Sequence, residues 1–200
     1  MPIAAPTRKQ LITARKRFEI NEPRDLFYRA ATELVDLAIR NKIKLSVAES
    51  LAVLLQTWNQ QYYRFHPFTL QHFSEIDGLV QAHEALLKDY RARQIESYNE
   101  SDNNSISTLF ESFERILGPV GAAKCLHLLA PEFFPLWDRA IAKAYGLPFR
   151  SGGENGTTYT NFMVISKKQC LRLRGQNRLG RNLLKAIDEF NYCRYTKSWI

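Results

Sequence analysis

Cysteine is scarce and odd in number: the chain has Cys125, Cys170 and Cys193, with no CxxC pair. This argues against a disulfide framework, a zinc ribbon and a four-cysteine iron–sulfur cluster, and it points to reduced thiols in a cytoplasmic chain. His66, His72, His83 and His127 show no ligand spacing, so neither a metal nor a cofactor is expected. No apolar run approaches the ~20 residues of a membrane span. Met1 to Pro6 is too short and too weakly apolar for a secretory core segment. Nine Gly and eight Pro are ordinary numbers, which sets aside collagen-like and broadly disordered chains.

What remains is 200 residues, 45% hydrophobic and 24% charged, enough for one globular domain with a real core. The net charge of +8 is unevenly spread: successive fifties carry +4, −2, 0 and +6. The densest stretch holds Lys167, Lys168, Arg172, Arg174, Arg178, Arg181 and Lys185, with no acid before Asp188. A smaller cluster, Arg8, Lys9, Arg15, Lys16 and Arg17, opens the chain. Such runs are usually solvated faces, but seven cations with no anion between them exceed what solubility needs. A polyanion removes their repulsion and releases counterions. Nucleic acid is the leading candidate partner and an anionic membrane surface the weaker one.

Residues 1–17 read as a mobile basic tail. Beyond them the 3.6-residue period dominates, which predicts an all-α fold. Phe27, Ala30, Ala31, Leu34, Val35 and Ala38 form one stripe after Pro23. Ser46 and Glu49 form a capping box ahead of a helix carrying Val47, Leu51, Leu54, Leu55, Trp58 and Tyr62. Residues 67–95 read as shorter helices broken near Asp77-Gly78, and 96–105 as a polar loop. A stripe from Ile106 to Leu117 ends at Gly118-Pro119, a helix-stop signal. A short helix from Gly121 to Ala130, a loop to Trp137 and a helix opened by Asp138 follow. Segment 157–173 is strand-friendly at Thr-Thr-Tyr-Thr but leans to helix. A final helix bears Leu179, Leu183, Leu184, Ile187 and Phe190, with Arg178, Arg181 and Lys185 on another face.

The most informative stretch runs from Gly118-Pro-Val-Gly-Ala-Ala-Lys124 through Phe133-Phe-Pro-Leu-Trp-Asp138 to Gly146. Main-chain N–H groups at a turn bounded by Gly118, Val120 and Gly121 can receive a phosphate. Asp138 opens a helix, where its carboxylate accepts a backbone N–H and sits at the positive end. This segment resembles the helix–hairpin–helix DNA glycosylases, which place a catalytic Asp after a Gly-Val-Gly hairpin and a Gly/Pro-rich loop. Leu51-Ala-Val-Leu-Leu-Gln-Thr-Trp-Asn-Gln-Gln61 is similar to that family's helix ending in a Gln-rich loop that enters the duplex. The resemblance implies two helical lobes with a cleft between them, within a single domain of residues 18–200. Residues 45–147 would form the central barrel, with the hairpin at 106–130, and residues 18–44 and 148–200 the second lobe.

There are departures from the pattern. Pro119 stands where the first Gly of the hairpin is usual, and Ala123 takes the position of the lyase lysine. Lys124 comes one residue later, 14 residues before Asp138, a shorter interval than the family's. No cysteine cluster follows. One residue of offset turns a helical side chain by roughly 100°.

The resemblance implies base excision from double-stranded DNA by base flipping, with or without strand cleavage. In it, Asp138 stabilises charge developing on the sugar, and Lys124 is an amine nucleophile. The plainer readings are a structural N-cap for Asp138 and a snorkelling or phosphate-contacting Lys124. Trp137, Phe133, Phe134 and His127 are candidates for the base pocket, and Asn59, Gln60 and Gln61 for the duplex wedge. Trp58, Tyr62 and Tyr63 read more simply as packing residues. The competing readings of the whole chain are a non-catalytic helical DNA- or protein-binding module of the same fold and an N-glycosidase acting on RNA or a nucleotide.

Overall fold

The computed structural model describes residues 5–174 and 182–200, and among them the chain is all-α, with ten helices and no strand. The first helix lies where a mobile tail was expected. α1 (Arg8–Asn21) is opened by a capping box in which the Thr7 hydroxyl accepts from Gln10 N and the Gln10 side chain accepts from Thr7 N. Leu11, Ala14 and Phe18, spaced three and four residues apart, put one face of α1 in the core. Tail-like composition hid this face, because its three buried residues are outnumbered by cations pointing elsewhere.

α2 (Asp25–Ile39) and α3 (Val47–Trp58) follow as an antiparallel pair. The Ser46–Glu49 capping box forms as expected, with Glu49 N donating to Ser46 Oγ and Ser46 N to Glu49 Oε2. α3 stops at Asn59 instead of running on to Tyr62, and the four-residue α4 (Gln60–Tyr63) restarts beyond the break. α5 (Leu70–Ala82) passes straight through Asp77-Gly78, and the chain turns at His83 into α6 (Glu84–Arg91). A glycine within a helix weakens it by only ~1 kcal/mol relative to alanine, which is too little to end this one.

Two single turns of 3-10 helix fill the expected polar loop and lead into α7 (Asn103–Leu129). α7 is interrupted at Gly118, whose φ of 69° and ψ of 168° are not helical, and Pro119 opens its second half. The freed carbonyls are taken up from the break in α3: Asn59 Nδ2 donates to Leu117 O and the Tyr62 hydroxyl to Ile116 O. A Cβ at Gly121 would fall 2.6 Å from Asn59 Nδ2, so glycine is what lets the two breaks touch. Gly118→Ala is expected to destabilise the protein by about 1–3 kcal/mol, because a positive φ with an extended ψ is a conformation essentially reserved for glycine. Its Cβ would also meet the Tyr62 ring at 3.2 Å. Urea unfolding measures this, and a loss under ~0.5 kcal/mol would show that the turn relaxes freely.

α8 (Arg139–Ala144), α9 (Gly156–Leu173), α10 (Leu183–Asn191) and a π-helical turn at Tyr192–Thr196 complete the chain. α9 settles the ambiguous segment 157–173 as helix. α1 packs against α10 and the π-helical turn, and Cys193 Sγ lies 3.4 Å from Ala14 O.

Candidate functional site: a cavity shared by Lys124 and Asp138

A cavity of about 100 Å³ is walled by five separated stretches of the chain. Phe18, Glu22 and Arg24 come from the end of α1 and the turn after it, and Asp188 and Tyr192 from α10 and the π-helical turn. Between them stand Trp58, Val120, Lys124, Trp137, Asp138 and Ile141. The loop ending in Trp137 and the second half of α7 thus bring Lys124 and Asp138 to one space, despite the shifted register and shortened interval.

Asp138 is the N-cap of α8, with Oδ1 accepting from Ile141 N at 2.8 Å. Its second oxygen accepts from the Thr196 hydroxyl at 2.7 Å, a contact spanning 58 residues. The carboxylate is thereby fixed in orientation at the cavity wall by both hydrogen bonds. At the mouth, Arg24 holds Glu22 through Nε and Nη2, each at 2.7 Å, and the Tyr192 hydroxyl donates to Glu22 Oε2 at 2.8 Å. These contacts bring the Glu22 carboxyl below its usual range even though burial alone would raise it.

Two lysines here differ in burial and in partner, Lys185 being buried and Lys124 half-buried. Lys185, 1% exposed, bonds Asp188 Oδ2 at 3.0 Å and lies 4.5 to 5.1 Å from the ring centres of Phe18, Tyr28 and Trp58. Burial pulls its pKa down, but Asp188 and Glu189, with Tyr28 and Asp25, outweigh that and leave it raised. Lys124 bonds a neutral acceptor, the Trp58 carbonyl. Burial dominates there, and Asp138 and Asp188 offset it only in part, so the pKa falls to about 8. A lysine in this state has a usable fraction of neutral amine near physiological pH.

Several expected site residues lie elsewhere. Phe133 and Phe134 are fully buried, Phe133 stacking on Tyr90 with ring centres 4.8 Å apart, so neither offers a face to a base. Trp137 borders the cavity but is 2% exposed, packed among Phe110, Tyr159 and Phe162, with Nε1 donating to Pro119 O. His127 is buried with its two ring nitrogens engaged by the Tyr28 hydroxyl and Phe134 O, and burial lowers its pKa to about 4, so it leaves no free ring nitrogen for a base. Asn59 is buried against α7, whereas Gln60 and Gln61 are exposed on α4.

The basic cluster divides as well. Lys185 is a core residue and cannot reach a phosphate, because three aromatic rings and Asp188 enclose it. Lys167 is half-buried and donates to Tyr98 O, while Lys168, Arg172 and Arg174 are exposed on and just beyond α9. Arg178 and Arg181 lie outside the described residues. Val120 borders the cavity with its neighbour Gly121 buried beside Asn59, and Gly118 faces a separate groove on the Tyr62 side.

Sequence reading missed Phe18, Glu22, Arg24, Asp188, Tyr192 and Thr196. They lie more than 30 residues from the recognisable segment, and no local spacing ties them to it. Comparison with family models, with curated proteins and with solved structures finds no match to this chain.

Proposed function

We propose that the protein is a DNA N-glycosylase of the helix–hairpin–helix kind, with a lyase step, acting on double-stranded DNA. The observation that carries this reading is the convergence of Lys124 and Asp138 on one cavity, with the lysine held near pKa 8 by burial. In this reading the cavity is the cleft between two helical lobes.

Asp138, oriented by Ile141 N and the Thr196 hydroxyl, faces the positive charge that develops on the sugar as the glycosidic bond breaks. The neutral Lys124 amine bonds to C1′ as the base leaves with the glycosidic electron pair, and opening of the C1′–O4′ bond with transfer of the amine proton to the ring oxygen gives the Schiff base. The cavity is smaller than the ~150 Å³ that accommodates a benzene ring, so a base enters only if the Arg24–Tyr192 mouth opens. The burial of Phe133, Phe134 and His127 supports a second reading, a non-catalytic helical binding module of the same architecture.

A panel of lesion-bearing duplexes, with alkali treatment to reveal abasic sites, tests excision. Borohydride should trap a protein–DNA adduct that Lys124→Gln abolishes. The trapping rate should climb with pH and level off above about 8, because only the neutral amine attacks. Excision without any adduct would reduce Lys124 to a binding role. Neither excision nor adduct on any substrate would leave the binding module.

A further inference from the structure

We infer that the outward face of α1 is a docking surface for the phosphate backbone of a DNA duplex, leading it to the cavity mouth. The inference rests on the DNA-directed reading above and names the surface that would hold the substrate.

One face of α1 is used up in the core. At about 100° per residue, Leu11, Ala14 and Phe18 mark one side of the helix, and all three are buried. Arg8, Lys9, Lys16 and Arg17 fall on the remaining arc, and all four are exposed. The acid on that arc, Glu19, is paired with Arg15 at 2.9 Å. No carboxylate among the described residues pairs with Arg8, Lys9, Lys16 or Arg17. Solubility alone does not call for four cations along about 14 Å of one helix, whereas a duplex, with one charge per ~1.7 Å of its axis, neutralises them and sheds counterions.

α1 also points at the cavity. The last turn of α1 contributes Phe18 to the cavity wall, and the chain leaving it supplies Glu22 and Arg24 at the mouth. A polyanion lying along α1 therefore runs toward the space that holds Lys124 and Asp138. The loss of Lys185 to the core adds weight to α1, since the C-terminal cluster has fewer surface cations than its composition suggests.

An anionic bilayer is the rival occupant. α1 resembles a membrane-surface helix in charge, but the apolar stripe that would enter lipid is already spent against α10 and the π-helical turn. Outside it only Ile12 and Ile20 are exposed, eight residues apart among cations.

The test measures binding of a short fluorescein-labelled duplex to the full chain across a salt series. Lys9→Gln, Lys16→Gln and Arg17→Gln combined should raise Kd at least tenfold at moderate salt. They should also flatten the log–log salt slope by roughly 0.9 for each phosphate contact removed. The variant should keep the wild-type melting temperature, because all three side chains are exposed. Lys42→Gln with Lys44→Gln, on the exposed α2–α3 connection, removes two charges against three and should leave the slope unchanged. Equal slopes for wild type and the α1 variant would overturn the inference, as would binding to phosphatidylserine vesicles with none to the duplex. A flattened slope in a protein that cleaves nothing would sink the catalytic reading alone. Cleavage with an unaltered KM in the α1 variant would sink the docking surface alone.

Discussion

Asp138→Asn is expected to cut base excision by about two orders of magnitude or more, the scale on which preorganised electrostatic groups act. Duplex affinity at the same salt should stay within a few-fold, because a carboxylate that meets charge only in the transition state contributes little to ground-state binding. The substitution keeps the side-chain shape and one carbonyl oxygen. That oxygen can serve either Ile141 N or the Thr196 hydroxyl, which the two carboxylate oxygens now serve separately. The expected stability loss is therefore about 1 kcal/mol, the ordinary value of a cap. Thr196→Val should mimic a smaller part of the effect by freeing one oxygen to rotate. Near-normal excision by a folded Asp138→Asn protein would reduce Asp138 to a helix cap and remove the catalytic assignment.

The largest expected effect on stability lies in the cavity wall, at Asp188. Asp188→Ala leaves the Lys185 ammonium without its 3.0 Å partner, surrounded by three rings and at 1% exposure. Removing one member of a buried pair typically costs about 3–5 kcal/mol, since the other charge remains desolvated. Urea unfolding near neutral pH measures the loss. Lys185→Met combined with Asp188→Leu should recover most of it, because no lone charge is then buried. The pH dependence has a definite sign. Lys185 has a raised folded-state pKa, so its contribution is intact below the usual lysine value of 10.5 and fades only above it. Lys124 acts oppositely. Its folded pKa of about 8 lies below the usual 10.5, so the native state gains stability as pH rises between them. A loss under about 1 kcal/mol in Asp188→Ala would show that Glu189, Asp25 and the rings hold Lys185 by themselves.

Features written in short windows were legible in advance. The Ser46–Glu49 capping box, the stop at Gly118-Pro119 and the helix opened by Asp138 each lie within four residues and appear as expected. Charge proved less legible, because a run of cations does not say which of them faces inward. Lys185 looked like its neighbours Arg178 and Arg181 but sits at i−3 from Asp188 on the buried side of α10. α1 shows the converse error, in which three well-spaced apolar residues were outvoted by charge. The aromatics beside Asp138 misled for a different reason: a loop held by its own buried rings looks in sequence like a loop offering them. The shared cavity of Lys124 and Asp138 depends on the break at Asn59, which composition did not reveal, since Asn59 reads equally as the polar end of a longer helix.

The wall contributed by residues 183–196 has a consequence for synthesis. Glu22 meets Tyr192 across 170 positions, and Ala14 meets Cys193 across 179. A chain emerging from the ribosome at roughly 5–20 residues per second would carry Phe18, Tyr28 and Trp58 for many seconds before α10 can cover them. Through that interval Lys124 has no enclosed cavity and the ammonium of Lys185 has not arrived. The nascent polypeptide is thus sticky at the place where the cavity later forms, and that cavity gains its last wall only with the closing helix.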